Sequence, residues 1–301
     1  MIRSARQLRD KIKNMAAAET GARKTEKAQA LLRIFMMERF LERIAVSEYR
    51  DRFILKGGML VAAHTGLDSR ATKDIDTSIR MLSIQMEDIR KTLIEISQID
   101  INDGVAFEFQ SAEPIMEEHD YPGIRFGINA LFEGTKQHFA IDISTDDIIT
   151  PDAVTFAYPL MFEERTIPLL AYNLETLLAE KMETILSRGT ANTRIRDFYD
   201  IYMLTVLKPQ KISRDDFIAA FHATAEKRGT EKRVPVFSRI LNSIQESDEM
   251  LKMWDRFRKT YYYVEDTAWT DVLTSVQILA NWIIPDEQEE SRTEKLEPNK
   301  V

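Results

Sequence analysis

The stretch Phe53-Ile54-Leu55-Lys56-Gly57-Gly58 decides the fold of this chain, together with Lys73-Asp74-Ile75-Asp76, which follows after a gap long enough for a helix. Asp74 and Asp76 share one face of a predicted strand, because alternate residues of a strand point the same way. Two neighbouring carboxylates repel each other unless a cation lies between them, so the pair indicates a divalent ion such as Mg²⁺. The glycines let the backbone approach phosphate oxygens, and a helix starting after them would offer free N–H groups. Together these features predict a site for a nucleoside triphosphate and its metal.

The surrounding residues alternate between strand and helix patterns before the pattern becomes wholly helical. Apolar residues from Leu32 to Ile44 recur every three or four positions, which predicts a helix over residues 25–46 with one apolar face. Other predicted helices cover residues 59–65 and 84–97, and predicted strands cover 53–55, 74–80, 105–110, 123–131 and 137–144. After Pro168 the predicted helices are 173–188, 193–207, 214–228, 236–248, 251–262 and 268–283. Strands followed by helices indicate an α+β lobe and then an all-α lobe.

A third carboxylate, Asp142, lies on a later predicted strand. Phe139, Ile141 and Ile143 occupy one face of that strand, so Asp142 points to the opposite face. From this pattern alone, a solvent-facing aspartate on an amphipathic strand is the commoner explanation, and a role beside the first two aspartates is the alternative. Asp147 falls past the end of the strand and is predicted to be a turn residue.

Two predicted helices of the C-terminal lobe carry charges in unusual places. Lys181 falls on the inward apolar stripe of helix 173–188, so its amine must reach solvent, pair with an acid or meet an anionic ligand. Asp197 and Asp200 lie three residues apart on the next helix and share a face. A structural salt bridge, or a favourable place near the helix N-terminus, explains these residues as well as a functional site does.

Five sequence elements in this order resemble the AbiEii/AbiGii toxin family over nearly the whole chain. The glycine pair and the Asp-x-Asp motif are each weak alone, but the ordered set is specific. The resemblance implies a nucleotidyltransferase fold of the DNA polymerase β type, with a mixed sheet in its catalytic lobe. The elements are Gly57-Gly58, Asp74-x-Asp76, Ala140-Ile141-Asp142-Ile143, Leu178-Ala179-Glu180-Lys181 and Arg196-Asp197-Phe198-Tyr199-Asp200.

The resemblance also implies roles for individual residues. It leaves open which of the two acids in the last element is essential. The implied nucleotide-binding residues are Lys56, Gly57, Gly58 and Lys181; the implied metal ligands are Asp74, Asp76 and Asp142; and the implied catalytic set is Asp74, Asp76, Asp142, Lys181, Asp197 and Asp200.

Family members belong to bacterial toxin–antitoxin and phage-defence (abortive infection) systems, so the resemblance implies a cognate antitoxin as partner. It also implies transfer of a nucleoside monophosphate from an NTP to a hydroxyl, with Mg²⁺ or Mn²⁺ as cofactor and the 3′ end of tRNA as the expected acceptor. The predicted domains are N-terminal helices at 1–50, a nucleotidyltransferase-like domain at 51–167, a helical domain at 168–285 and a disordered polar tail at 286–301.

Charge is unevenly distributed along the chain, which has a formal net charge of −8. Basic residues outnumber acidic ones between Arg188 and Arg214, and again between Lys227 and Arg239. A polynucleotide-facing surface and a set of solvated helix faces explain these clusters equally well. Arg188, Arg194 and Arg196, which flank the predicted helix junction near Lys181, are the candidate acceptor-binding residues.

Several classes of protein are disfavoured by composition and missing motifs. The chain has no cysteine, which excludes disulfides, thiolate zinc sites and cysteine nucleophiles. It lacks the glycine-rich motifs of P-loop and Rossmann nucleotide binding. No apolar run approaches the length of a membrane span and the N-terminus lacks a signal-peptide core, so we expect a cytoplasmic protein.

Two other functions remain open at the level of sequence. A small-molecule nucleotidyltransferase of the antibiotic-modifying kind has the same glycine pair and Asp-x-Asp motif, followed by a helical lobe. A nucleotide-binding regulator without catalysis would act through protein contacts. The presence of all three carboxylates disfavours the regulator, and the basic helices favour an RNA acceptor over a small molecule.

Overall fold

The computed structural model describes residues 2–66, 70–82, 85–115, 123–145, 147–264 and 266–284. The tail predicted at 286–301 lies outside the described residues. The chain forms two compact units. The first contains the residues up to Asn173 and a short segment beginning at Tyr261, and the second contains Leu174–Thr260 and the residues from Asp266 onward.

The first unit contains one seven-stranded sheet and four α-helices among its described residues. Its helices are α1 (Ala5–Met15), α2 (Gly21–Val46), α3 (Gly57–Thr65) and α4 (Met86–Ser97). Its strands are β1 (Phe53–Lys56), β2 (Asp74–Ile79), β3 (Ala106–Ile115), β4 (Gly123–Phe132), β5 (Thr135–Thr145), β6 (Val154–Pro159) and β7 (Thr166–Ala171).

The sheet is mixed and has the strand order β3-β4-β5-β2-β1-β7-β6. Strand β2 runs antiparallel to β1 and parallel to β5, so the Asp-x-Asp strand lies in the centre of the sheet. Its Ile75 is fully buried, as are Phe139, Ile141 and Ile143 of β5. The mixed sheet and the helices that follow it confirm the predicted α+β fold class.

The β6–β7 hairpin is absent from the sequence prediction, and residues 168–171, which were predicted to open the helical domain, belong to strand β7, whereas the helix predicted at 173–188 is observed at Leu174–Arg188. Strand β7 continues to Ala171 and pairs in parallel with β1, so the helical unit begins only at Leu174. The sequence does carry a strand pattern here, because the apolar residues Ile167, Leu169 and Ala171 stand at alternate positions, and all three are buried. A proline within the segment obscured it, since proline is unusual in strands.

Helix α2 differs from the prediction in its surroundings. A single apolar face was predicted, but every residue from Ala30 to Ala45 is buried except Leu32 and Arg33, which are partly exposed. The helix is enclosed because it contacts α1, α4, β5 and β7. Four charged residues of α2 are buried with the apolar ones, namely Glu38, Arg39, Glu42 and Arg43.

Ion pairs allow these charges to be buried. Arg39 lies 3.0 Å from Glu42 and 3.1 Å from Glu163, and Arg165 binds the same two acids at 2.5 and 2.6 Å. The four side chains link α2 to the loop between β6 and β7. Such a network is costly to break, because removing one partner leaves a buried charge without compensation.

Glu38 is the exception among the buried charges of α2. It is fully buried, and its Oε1 accepts a hydrogen bond from the Met161 N–H at 3.0 Å, but its Oε2 has no hydrogen-bond partner among the described residues. Burial, followed by the negative charges of Glu163 and Glu42, raises the pKa of Glu38 from 4.5 to about 8, against the opposing effects of Met161 and Arg39. The side chain is therefore largely protonated in the folded protein at neutral pH.

Glu38→Gln is expected to remove a pH dependence of stability. Because the folded-state pKa lies above the unfolded value, the stabilisation that Glu38 contributes is complete below about pH 4 and is lost as the pH rises through about 8. The glutamine variant should gain up to roughly 5 kcal/mol relative to the parent across that window. Denaturant unfolding at several pH values measures the difference, and a constant difference would contradict the expected titration.

The second unit is helical. Its aromatic core includes Trp254, whose ring centroid lies 5.4 Å from that of Trp269, and Phe221, which stacks on Phe237 at 6.2 Å. Among the described residues, no helix has both the length and the apolar composition needed to cross a membrane. The helices are α5 (Leu174–Arg188), α6 (Ile195–Leu207), α7 (Arg214–Lys227), α8 (Phe237–Gln245), α9 (Asp248–Thr260) and α10 (Trp269–Ile283).

Candidate active site

Three aspartates converge on one face of the central strands. The parallel pairing of β2 with β5 places Asp76 directly beside Asp142, and Asp74 is two residues away on the same face. One carboxylate oxygen from each residue lies within 4.8 Å of the other two. All three side chains are partly exposed, so an ion or a ligand can reach them.

The glycine pair packs against this carboxylate group. Strand β1 ends at Lys56, and α3 begins at Gly57, whose φ of +60° suits a residue without a side chain. The Gly58 N–H donates a hydrogen bond to Asp76 Oδ2 at 3.0 Å. A Cβ on Gly57 would lie 2.0 Å from that same oxygen, so the turn requires glycine at this position. The implied phosphate contacts of the two glycines stay a prediction.

The pKa of Asp76 reflects the balance of charge in the site. Burial, followed by the charges of Asp74 and Asp142, raises the pKa of Asp76 to about 7, while the Gly58 N–H and Lys56 act in the opposite direction. Repulsion from the two neighbouring carboxylates therefore adds to the cost of burying a charge on Asp76. Several converging carboxylate oxygens are the donors that Mg²⁺ and Mn²⁺ prefer, so these residues fit a divalent metal.

Arg125 belongs to the candidate site but is not among the residues predicted from the sequence. It lies on β4 opposite Asp142, and its Nε and Nη2 donate hydrogen bonds to Asp142 Oδ1 and Oδ2 at 2.7 and 2.6 Å. Asp142 strongly raises the pKa of Arg125, so the guanidinium stays charged. The alternation of β4, in which Ile124 and Phe126 flank Arg125, was the available signal.

Asp147, which was predicted only as a turn residue, also contacts a residue of the candidate site. Its carboxylate accepts hydrogen bonds from Lys56 Nζ at 2.7 Å, from the Tyr172 hydroxyl at 2.8 Å and from Ser144 Oγ. Burial acts to raise the pKa of Asp147, but Lys56 and these hydrogen bonds lower it to about 2. Asp147 thus fixes the position of Lys56, whose implied nucleotide contact stays a prediction.

The candidate residues of the helical unit contact one another. Lys181 Nζ lies 2.7 Å from Asp197 Oδ1 and 2.7 Å from Asp200 Oδ2. The Asp200 side chain is fully buried, and those of Lys181 and Asp197 are largely buried. The structure brings these three predicted residues together as an ion-pair cluster within α5 and α6. Their implied catalytic roles stay a prediction.

Lys181→Met is expected to destabilise the helical unit by about 3 kcal/mol, because it removes a buried cation that lies 2.7 Å from the buried Asp200 carboxylate. Adding Asp200→Asn should restore part of the loss, since the asparagine carries no charge. Lys252→Met, on an exposed position of α9, is the control. Thermal unfolding measures all three, and a Lys181→Met variant as stable as the control would contradict a structural role for the ion pairs.

The three candidate acceptor-binding arginines lie around the junction of α5 and α6. Arg188 is the last residue of α5, Arg194 precedes the first residue of α6, and Arg196 lies in its first turn. All three are partly buried, and each takes part in an interaction. Their predicted contact with an acceptor stays a prediction.

Comparisons with solved structures agree with this fold. One crystal structure, described as a nucleotidyltransferase candidate from H. pylori, has a TM-score of 0.53 at 14% identity and covers 90% of this chain and 99% of its own. The crystal structure of JHP933 from Helicobacter pylori has a TM-score of 0.53 at 13% identity, with 89% and 97% coverage. At these identities the likeness shows the fold alone.

A comparison with curated proteins gave no match. A family model described as "Nucleotidyl transferase AbiEii toxin, Type IV TA system" matches residues 39–275. The match contains the glycine pair, all three aspartates of the sheet and the Lys181 cluster. It confirms the family that the ordered motifs predicted. The chain therefore belongs to the AbiEii family of nucleotidyltransferase toxins from type IV toxin–antitoxin systems.

Proposed function

We propose that this nucleotidyltransferase moves a nucleoside monophosphate from an NTP to a hydroxyl at the 3′ end of tRNA, with Mg²⁺ as its metal. The observation that carries the proposal is the convergence of Asp74, Asp76 and Asp142, whose oxygens lie within 4.8 Å of one another. The expected place of the reaction is the cytoplasm. Family membership implies an NTP substrate and an antitoxin partner.

The proposed reaction is a substitution at the α-phosphorus of the NTP. The acceptor oxygen forms a bond to that phosphorus, the bond to the bridging oxygen breaks, and pyrophosphate leaves. Asp74, Asp76 and Asp142 would hold Mg²⁺ or Mn²⁺, which supplies charge neutralisation for the phosphates when bound.

The chain's own residues would orient the reactants. Asp142 would accept a hydrogen bond from the acceptor hydroxyl and take its proton. The N-terminus of α3, at Gly57 and Gly58, would bind phosphate oxygens through backbone N–H groups other than that of Gly58, which donates to Asp76. Lys56, held by Asp147, would add positive charge beside them. Positioning and electrostatics are the main sources of rate enhancement in such a reaction.

The decisive experiment incubates the purified protein with each labelled NTP, Mg²⁺ and bulk tRNA. Label that moves to tRNA in the presence of one or more NTPs supports the proposal. The same incubation with small hydroxyl-bearing acceptors, including aminoglycosides, tests the antibiotic-modifying alternative. Label on a small acceptor and none on tRNA would replace the proposed acceptor, and growth inhibition that survives loss of Asp74 would favour a non-catalytic regulator.

Arg194→Gln with Arg196→Gln is expected to weaken RNA binding more than NTP binding. For every RNA phosphate that the protein no longer binds, the slope of log affinity against log salt should fall by about one. Binding of labelled tRNA at several salt concentrations measures the slope, and Lys252→Gln on α9 is an exposed control. An unchanged slope in the double variant would remove these arginines from the proposed acceptor surface.

A further inference from the structure

Arg125 occupies a particular place among the three carboxylates. Its guanidinium forms two short hydrogen bonds with Asp142, and its Nη2 also lies 3.6 Å from Asp74 Oδ2. One cation therefore contacts two of the three candidate metal ligands. The Arg125 side chain is 43% exposed, so it has room to move away from them.

A divalent ion would need the same carboxylate oxygens. The two-pronged contact engages both oxygens of Asp142, and it supplies positive charge where the ion would supply it. Guanidinium and metal are therefore alternative partners of this carboxylate. A guanidinium released from Asp142 has the geometry to bind phosphate oxygens in the same two-pronged way.

We propose that Arg125 is a counter-ion that holds the metal-free aspartates together, yields Asp142 when a divalent cation binds, and then contacts the phosphates of the nucleotide. This inference rests on the proposed metal-dependent function. The opposite behaviour is also well defined: an Arg125 that remained on Asp142 would orient the carboxylate and strengthen metal binding.

Mn²⁺ binding without nucleotide separates the two behaviours. Electron paramagnetic resonance counts free Mn²⁺ in titrations of the parent, Arg125→Gln and Arg33→Gln. Arg33, on α2, attracts Asp74 electrostatically and forms no ion pair within the described residues, so its variant removes a nearby charge without removing a competitor. Arg125→Gln should bind Mn²⁺ about tenfold more tightly than the parent, and Arg33→Gln less than about threefold more tightly.

A second measurement tests the released arginine. Inorganic triphosphate, titrated calorimetrically at saturating Mn²⁺, should bind Arg125→Gln about tenfold more weakly than the parent. If Arg125→Gln does not fold, both titrations are made with Arg125→Lys instead. Lysine keeps the charge but cannot bind both carboxylate oxygens of Asp142 at once.

Each outcome bears on the proposal. The proposal is overturned if Arg125→Gln binds Mn²⁺ no more tightly than the parent, or no more tightly than Arg33→Gln. It is also overturned if Arg125→Gln binds triphosphate as tightly as the parent. Failure of every variant and the parent to bind Mn²⁺ overturns it together with the metal assignment. Tighter Mn²⁺ binding without label transfer to any acceptor supports the counter-ion role and overturns the proposed function alone.

Discussion

Asp74→Ala and Asp76→Ala are each expected to abolish nucleotide transfer and toxicity while the protein stays folded. Loss of a metal-binding carboxylate should reduce the transfer rate by about a thousandfold or more, because the ion supplies several kcal/mol of charge stabilisation. Removal of one acid also relieves repulsion among Asp74, Asp76 and Asp142 in the metal-free protein. Transfer of labelled nucleotide and growth of expressing cells measure the effect.

The two variants should differ slightly in stability. Asp76→Ala leaves the Gly58 N–H without its acceptor, which costs about 1 kcal/mol. Asp74→Ala instead removes the carboxylate that accepts a hydrogen bond from the Thr72 hydroxyl. Asp51→Ala is the control, because the Asp51 side chain is highly exposed. Circular dichroism verifies the fold. Near-normal transfer by either variant with Mg²⁺ present would show that this strand is not in the active site.

Gly57→Ala is the second substitution with a large expected effect. Its Cβ would lie 2.0 Å from Asp76 Oδ2, and φ at this residue is +60°. The alanine must therefore displace Asp76 or distort the start of α3, and we expect a loss of about 3 kcal/mol in stability. A displaced carboxylate should also reduce transfer by about a hundredfold, because an error of about 1 Å is enough for that loss.

Gly134→Ala separates the two causes. Gly134 also has a positive φ, +80°, but a Cβ there would meet no described atom within 4 Å. This control should lose only about 1 kcal/mol, the cost of the backbone conformation, and should keep full transfer activity. Unfolding and labelled transfer are measured for both variants. Equal losses in the two would mean that contact with Asp76 is unimportant.

Local sequence patterns predicted part of the geometry of the candidate site. Alternation along one strand was enough to place Asp74 and Asp76 on a common face, and the double glycine marked the turn before α3. The ordered motifs identified the family, which the comparison confirmed. These features depend on residues close together in the chain, where periodicity and backbone freedom act directly.

The other contacts of the candidate site depend on pairing between residues that are distant in sequence. Asp142 reaches Asp76 because β5 pairs in parallel with β2 in one register, and a shift by one residue would turn its side chain to the other face. Arg125 and Asp147 join the site through contacts with residues distant in sequence. The same holds for the charges of α2, since a helix pattern does not reveal which neighbours will enclose it. Periodicity specifies the face on which a side chain lies, whereas strand order and register specify what that side chain meets.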